Sequence, residues 1–270
     1  MRIAFIGGGN MATALIGGLL QRGFVAADLI VVDVQADART RLEQRFGVRT
    51  AEEIALAVQG ARVILLAVKP QQMRGVAQQL QPHLKEQLVI TIAAGIRSSD
   101  LSRWLGDYAR IVRAMPNTPA LVQAGISGVF AAAGVSGEDR AKAETILSAV
   151  GETMWLEHEA QLDAVTAVSG SGPAYVFYFI ESLQKAAEAL GFTNAQARQL
   201  ALATFSGAVK LAVSSDEAPA ALRARVTSKA GTTERALQVL ETEQVQQSIA
   251  RAVALAQQRS RELGDEFASK

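Results

Sequence analysis

The stretch RIAFIGGGNMATALIGGL, residues 2–19, determines the predicted fold of this chain. A short apolar run ends at Ile6, and a glycine-rich turn then leads directly into a helical pattern. In the series Gly7-x-Gly9-x-x-Ala12, the first glycine permits a tight turn, the second lets a pyrophosphate approach the backbone, and the alanine allows close helix–strand packing. Because the turn lies between a predicted strand and a predicted helix, we interpret it as the first βαβ unit of a dinucleotide-binding sheet.

The rest of the first half repeats this alternation of strands and helices. Further strands are predicted at residues 29–33, 63–68, 88–93, 110–115, 125–132 and 153–157, and the clearest helices at 10–22, 36–46 and 71–80. Most of these runs are apolar without clean alternation, which is typical of strands buried on both faces of a parallel sheet. We therefore predict right-handed βαβ crossovers in a doubly wound Rossmann-type sheet over residues 1–160.

From about Leu162 onward the pattern is helical, and no further strand is predicted. The segment PAYVFYFIESLQKAAEALGF begins with Pro173, which suits a first helical turn, and Gly191 stands where a helix end is expected. Its apolar residues cover most of the helix circumference, so the helix is either central in a core or buried in a subunit interface. The predicted fold class is thus α/β, with an all-α domain over residues 161–270.

Composition excludes several functional classes. The net charge is +1 with both signs mixed along the chain, so no nucleic-acid-binding or membrane-binding surface is indicated. The chain has no cysteine and only two histidines, His83 and His158, so we expect neither thiol chemistry nor a metal site. No signal peptide and no apolar run of membrane-spanning length is evident, and we expect a soluble, cytoplasmic protein.

A cofactor site is expected where the strand ends face the glycine turn. Asp33 ends the second strand, where an acid hydrogen-bonds the adenosine ribose of NAD and opposes the extra phosphate of NADP. Arg39 and Arg41 on the next helix could offset that charge, so the choice between NADH and NADPH stays open. The motifs AVKP, AAGI and RAMPNTPA end later strands at the same edge. The expected cofactor-binding residues are Ile6, Gly7, Gly8, Gly9, Asn10, Met11, Asp33, Ala67, Val68, Lys69 and Ala94.

The stretch VTSKAGTTERALQVL, residues 226–240, has two interpretations from its residues alone. Gly231 could end one helix while a threonine caps the next. Alternatively, the exposed backbone N–H groups of a helix that begins at Gly231 could bind an anion.

Six motifs in order give the chain a family resemblance. FIGGGNMA, AVKP, AAGI, RAMPNTPA, DAVTAVSGSGPAYVFYFIESL and VTSKAGTTERAL together resemble the pyrroline-5-carboxylate reductases over nearly the whole chain. The resemblance implies NADPH- or NADH-dependent reduction of 1-pyrroline-5-carboxylate to L-proline, the last step of proline biosynthesis, without a metal. It also implies that the helical domain dimerises and binds substrate, giving an intertwined homodimer or a multiple of dimers, with the active site where the two domains meet.

The resemblance assigns roles to particular residues. Gly231, Thr232 and Thr233 would hold the substrate carboxylate, with the Thr233 hydroxyl as the catalytic group facing the ring nitrogen, and Asn117 would also bind substrate. Such a reaction needs little acid catalysis, because a cyclic imine is basic and can bind as the iminium ion. Two departures stand out: Ala230 replaces a usual glycine, and Asp33 stands where many relatives carry a small polar or basic residue.

Two alternatives are weighed against this assignment. A β-hydroxyacid dehydrogenase would carry a catalytic lysine on the helix after a glycine-rich segment, but the first lysine here is Lys185, about four turns into that helix. A non-catalytic nucleotide-sensing regulator would bind the cofactor without oxidising it when the imine is added.

Overall fold

A computed structural model describes residues 1–269, and the chain forms two compact units. One unit comprises Met1–Ser171 together with the chain from Ala256 onward, and the other comprises Gly172–Leu255.

The first unit is built on one eight-stranded sheet. Its strands are β1 (Ile3–Ile6), β2 (Leu29–Val32), β3 (Arg49–Ala51), β4 (Val63–Leu66), β5 (Leu88–Thr91), β6 (Ile111–Met115), β7 (Gly125–Ala131) and β8 (Gly151–Trp155). The strand order is β3-β2-β1-β4-β5-β6-β7-β8, and every neighbouring pair is parallel except β6 and β7. The predicted Rossmann-type sheet is confirmed; β3 was not predicted.

Helices cover both faces of this sheet. They are α1 (Asn10–Gln21), α2 (Ala36–Phe46), α3 (Ile54–Val58), α4 (Pro70–Leu80), α5 (Ser98–Trp104), α6 (Gly137–Leu147) and α7 (Gln161–Val165). Because side chains alternate along a strand, Ile3 and Phe5 of β1 belong to one buried apolar cluster. Ala4 and Ile6 belong to a second cluster on the opposite face. The apolar, non-alternating strand sequences are thus explained by burial on both sides.

The turn between β1 and α1 depends on Gly7. Its φ is +102°, and a Cβ there would lie 2.7 Å from the carbonyl oxygen of Ala67. Both the left-handed conformation and the contact exclude a side chain at this position. The chain can therefore reverse sharply at the end of β1 and begin α1 at the same edge of the sheet.

The second unit is helical, and within the described residues it contains no strand, as predicted. Its helices are α8 (Gly172–Ala189), α9 (Asn194–Val213), α10 (Pro219–Arg225), α11 (Thr232–Thr242) and the first part of α12 (Val245–Ala268). Thr193 and Gln196 form a capping box at the start of α9. The helical pattern after Thr232 is interrupted at Gln244, whose φ is +53°. Among residues 1–269, none of the helices combines the length and apolar character that a membrane crossing requires.

The end of α12 packs in the first unit. Ser260 donates a hydrogen bond to Asp163 at 2.7 Å, and Asp265 pairs with Arg97 at 2.5 Å. The Phe267 ring lies 3.3 Å from the position that a Cβ would take at Gly95. These contacts tie the chain after Ala256 to α7 and to the segment between β5 and α5.

Candidate active site

A groove of ≈ 450 Å³ lies at the carboxyl ends of β1, β2 and β4. The strand order changes direction between β1 and β4, which is where open α/β sheets bind their ligands. The predicted cofactor-binding residues in its wall are Ile6, Gly7, Gly8, Gly9, Asp33, Ala67, Val68 and Lys69. Sequence reasoning missed further residues of the wall: Val34, Gln35, Ala38, Glu52, Ile54, Gln72, Val76 and Gln79.

The start of α1 fits the pyrophosphate of a dinucleotide. Gly9 is the N-cap residue, no side chain caps the helix, and a Cβ at Gly9 would meet no atom within 4 Å. The approach to the backbone is therefore open, and the first N–H groups of α1 have no partner inside the helix. Asn10 and Met11 lie outside the groove wall, and their part in cofactor binding stays a prediction.

Asp33 is fixed in place by two backbone hydrogen bonds. Its Oδ2 atom accepts from the Gly8 N–H at 2.8 Å, and its Oδ1 atom accepts from the Gln35 N–H at 2.9 Å. The carboxylate is half-buried and faces the groove, where its remaining lone pairs are available to a ribose hydroxyl.

The two arginines of α2 differ in what they contact. Arg39 donates to the carbonyl oxygen of Asp33 at 2.6 Å and to the Glu52 carboxylate at 3.4 Å. Arg41 is exposed in the groove wall and makes no ion pair with the described residues. Hence, of the two arginines, Arg41 is the one that is free to meet an additional phosphate. Two carboxylates, Asp33 and Glu52, lie in the same wall.

The turn after β5 carries Ala94, which is half-buried and outside the groove wall. Just beyond it, Ser98 donates its backbone N–H and its hydroxyl to the Glu159 carboxylate, at 2.6 Å and 2.5 Å. Glu159 also pairs at 2.9 Å with Arg113, whose side chain is buried. This network ties the start of α5 to β6.

Asn117 uses its side chain to join two backbone segments. Its amide donates to the Ser169 carbonyl at 3.1 Å, and its oxygen accepts from the Ile126 N–H at 3.0 Å. Ser169 belongs to the segment Thr166–Gly170, which is a π-helix, a feature frequent at functional sites. The role of Asn117 in substrate binding stays a prediction.

The start of α11 presents unpaired polar groups. Gly231 is the N-cap residue and no side chain caps the helix, so the structure does not support a capping threonine. The N–H groups of Thr232 and Thr233 donate to no acceptor in the part of the chain that the structure describes. The half-buried Thr233 hydroxyl likewise makes no hydrogen bond with residues 1–269. These groups can serve an anion and a neighbouring polar atom.

The fold and the groove define a dinucleotide-binding oxidoreductase with a helical C-terminal region. Residues 159–263 match the family model for pyrroline-5-carboxylate reductase dimerisation, and residues 2–95 match that of the coenzyme F420-dependent NADP oxidoreductases. The pyrroline-5-carboxylate reductase of Pseudomonas aeruginosa is 47% identical, with 98% of each chain covered. The chain belongs to the pyrroline-5-carboxylate reductase family.

Solved structures agree with this membership. A pyrroline-5-carboxylate reductase from Coxiella burnetii has a TM-score of 0.92 and 40% identity, covering 97% of this chain and 98% of that one. The Plasmodium falciparum pyrroline carboxylate reductase, solved with NADP bound, has a TM-score of 0.89 and 28% identity, covering 98% of both chains. A nucleotide cofactor is thus supported from the fold, the groove and the family.

Proposed function

We propose that this chain reduces 1-pyrroline-5-carboxylate to L-proline with a reduced nicotinamide cofactor. The observation that carries the proposal is the start of α11, where no side chain caps the helix and the Thr233 hydroxyl has no partner among residues 1–269. Membership of the reductase family supports the reaction, and it disfavours a β-hydroxyacid dehydrogenase.

The roles of the residues follow from their chemistry. The N–H groups of Thr232 and Thr233 bind the substrate carboxylate, with Gly231 allowing the close approach and the positive end of the helix dipole favouring the charge. The Thr233 hydroxyl orients the ring nitrogen: it accepts a hydrogen bond from the iminium N–H and, once hydride transfer has made the nitrogen a neutral amine, it can donate a hydrogen bond to that nitrogen. A bound reduced nicotinamide supplies the hydride. Because the imine binds as its iminium ion, catalysis consists mainly of holding the reacting atoms in position.

Cofactor preference is a finer part of the proposal: Asp33 favours NADH over NADPH. A 2′-phosphate would approach the Asp33 carboxylate, and Arg39 is already engaged by the Asp33 carbonyl and by Glu52. The exposed Arg41 keeps NADPH usable. We therefore expect both cofactors to work, with NADH bound more tightly.

The proposed assembly is a homodimer or a multiple of dimers, formed through the second unit. This unit exposes many large apolar side chains, including Phe177 at 65%, Leu190 at 80% and Val213 at 83%. Such exposure is typical of a surface that is buried in an oligomer. We further propose that residues 1–160 bind the dinucleotide and that residues 161–270 dimerise and bind substrate.

The test is steady-state turnover of 1-pyrroline-5-carboxylate with NADH and with NADPH in parallel. We expect oxidation of both cofactors that depends on the imine and yields L-proline. Binding of NADH without oxidation would indicate a nucleotide-sensing regulator instead. Oxidation of a β-hydroxyacid with NAD, in the absence of imine reduction, would indicate the alternative dehydrogenase.

A further inference from the structure

The loop that precedes α11 contains an alanine in an unusual conformation. The Ser228 carbonyl accepts a hydrogen bond from the Gly231 N–H at 3.0 Å and closes a tight turn. Ala230 is the third residue of this turn and has φ +58°, in the left-handed region where turns favour glycine. Some other interaction must therefore hold the backbone in this form.

Glu234 provides that interaction. Its Oε2 atom accepts a hydrogen bond from the Ala230 N–H at 2.7 Å. Glu234 lies in the first turn of α11 and reaches back toward the preceding loop, much as the acid of a capping box does. Hydrogen bonds to an ionised acceptor are shorter and stronger than neutral ones, so this contact favours the left-handed form of Ala230.

The loop has little freedom to shift without moving the helix start. A Cβ at Gly231 would lie 2.4 Å from the Ser228 hydroxyl oxygen, which shows how closely the backbone at Gly231 packs on the turn. A change in the Ala230 backbone would therefore reorient the N–H groups of Thr232 and Thr233.

We infer that Glu234 is a positioning residue for the substrate carboxylate. Its carboxylate holds Ala230 in the left-handed conformation and thereby aims the first N–H groups of α11. This role rests on the proposed function of that helix start. In a chain with glycine at position 230 the turn would form without help, so Glu234 compensates for the alanine.

The charge of Glu234 by itself weakens substrate binding, because a carboxylate on the first turn of α11 repels the anionic substrate. Two substitutions separate the effects. Glu234→Gln keeps an acceptor for the Ala230 N–H and removes the charge, whereas Glu234→Ala removes both. Positioning predicts that only Glu234→Ala weakens substrate binding, and repulsion predicts that both strengthen it.

The experiment measures KM for the imine, KM for NADH, kcat and melting temperature in five proteins: wild type, Glu234→Ala, Glu234→Gln, Glu234→Ala with Ala230→Gly, and the control Glu241→Ala. Glu241 lies on the same helix and is exposed, so its substitution matches the charge change. We expect Glu234→Ala to raise KM for the imine about three- to tenfold, consistent with loss of one charge-assisted hydrogen bond. KM for NADH should stay at the wild-type value in every variant.

Rescue is the decisive result. Adding Ala230→Gly to Glu234→Ala should return KM for the imine to within about twofold of wild type, because glycine adopts the left-handed form unaided. A double variant as impaired as Glu234→Ala, or a Glu234→Ala variant with unchanged or lower KM, would overturn the role. A wild-type protein without imine reduction would overturn the proposed function, and this role with it.

Discussion

The Asp33 carboxylate accepts a hydrogen bond from the Gly8 backbone N–H, with 2.8 Å between oxygen and nitrogen. The bond joins the end of β2 to the glycine turn after β1, so the acid and the turn form one surface of the groove. The hydrogen bond restrains the carboxylate in the groove wall, where it would repel a 2′-phosphate.

Substitution of Asp33 should therefore change cofactor preference. We expect Asp33→Ser to lower KM for NADPH relative to NADH several-fold, since a like-charge contact at a partly solvated site costs about 1 kcal/mol. The measurement is kcat/KM for both cofactors in wild type and variant. Asp37→Ser is the matched control, because Asp37 lies in the first turn of α2, shortly after Asp33, but outside the groove wall. Identical ratios in wild type and Asp33→Ser would show that Asp33 does not face the ribose.

The second prediction concerns the oligomeric state, and it is based on the exposed apolar side chains of the second unit. We expect light scattering at micromolar concentration to report a dimer or a multiple of dimers. Phe177→Glu places a charge on this surface and should shift the protein toward the monomer, because a buried unpaired charge is strongly unfavourable. Leu56→Glu is the control: Leu56 is also exposed, at 63%, but belongs to α3 of the first unit. A fully active wild-type monomer would contradict the prediction.

The third prediction concerns acid stability. Asp139 has a side chain only 1% exposed, and it pairs with Arg110 at 2.8 Å. Burial by itself raises the pKa of Asp139, but hydrogen bonds from Arg110, Lys142 and Ser136 outweigh it and lower the pKa below the ordinary 3.8. The stabilising contribution is therefore complete above the ordinary value and is lost as the pH falls through the lower, folded-state pKa.

Asp139→Asn should destabilise the protein by about 2 kcal/mol at pH 7, because it leaves Arg110 without a charged partner. The difference in unfolding free energy from wild type should begin to shrink as the pH falls below 3.8, where the unfolded chain takes up a proton at Asp139. It should go on shrinking until the pH falls through the lower pKa of the folded state. Urea denaturation at pH 7 and at acid pH measures this difference in unfolding free energy. The control is Glu138→Gln, at an exposed neighbouring residue, which should leave the urea midpoint unchanged. A difference that stays constant with pH would contradict the assignment.

Sequence patterns predicted the sheet well where strands are long and apolar, but missed its edge. β3 is only Arg49–Ala51 and has no buried residue, so it has no apolar signal and forms because β2 offers a free edge for pairing. The omission extends to the site, since Glu52 follows β3 directly and lies in the groove wall.

Contacts between residues far apart in the sequence could not be predicted from the sequence patterns either. Periodicity predicted that the C-terminal segment is helical, but not that Phe267 packs beside Gly95 in the first unit. Likewise, the patterns placed Asp33 and Gly8 at one edge of the sheet without revealing the bond between them. Such contacts depend on how distant segments meet, and a local pattern carries no information about that.

The last prediction concerns Thr233, whose hydroxyl makes no hydrogen bond with residues 1–269. Thr233→Val keeps the shape and β-branching and removes only the hydroxyl, so packing should change little. A hydrogen bond that strengthens in the transition state contributes more than an ordinary one, and we expect kcat/KM for the imine to fall at least about tenfold. NADH affinity should be nearly unchanged.

Melting temperature, cofactor binding and turnover measured on the same variant distinguish catalysis from helix capping. A capping threonine would give the opposite pattern, with stability reduced by about 1 kcal/mol and turnover retained. Gly231 is the N-cap and no side chain caps α11, so we expect the melting temperature of Thr233→Val to stay at the wild-type value. Thr242→Val, at the exposed end of the same helix, controls for the loss of a threonine hydroxyl. Normal kcat/KM in a destabilised Thr233→Val protein would refute the catalytic assignment.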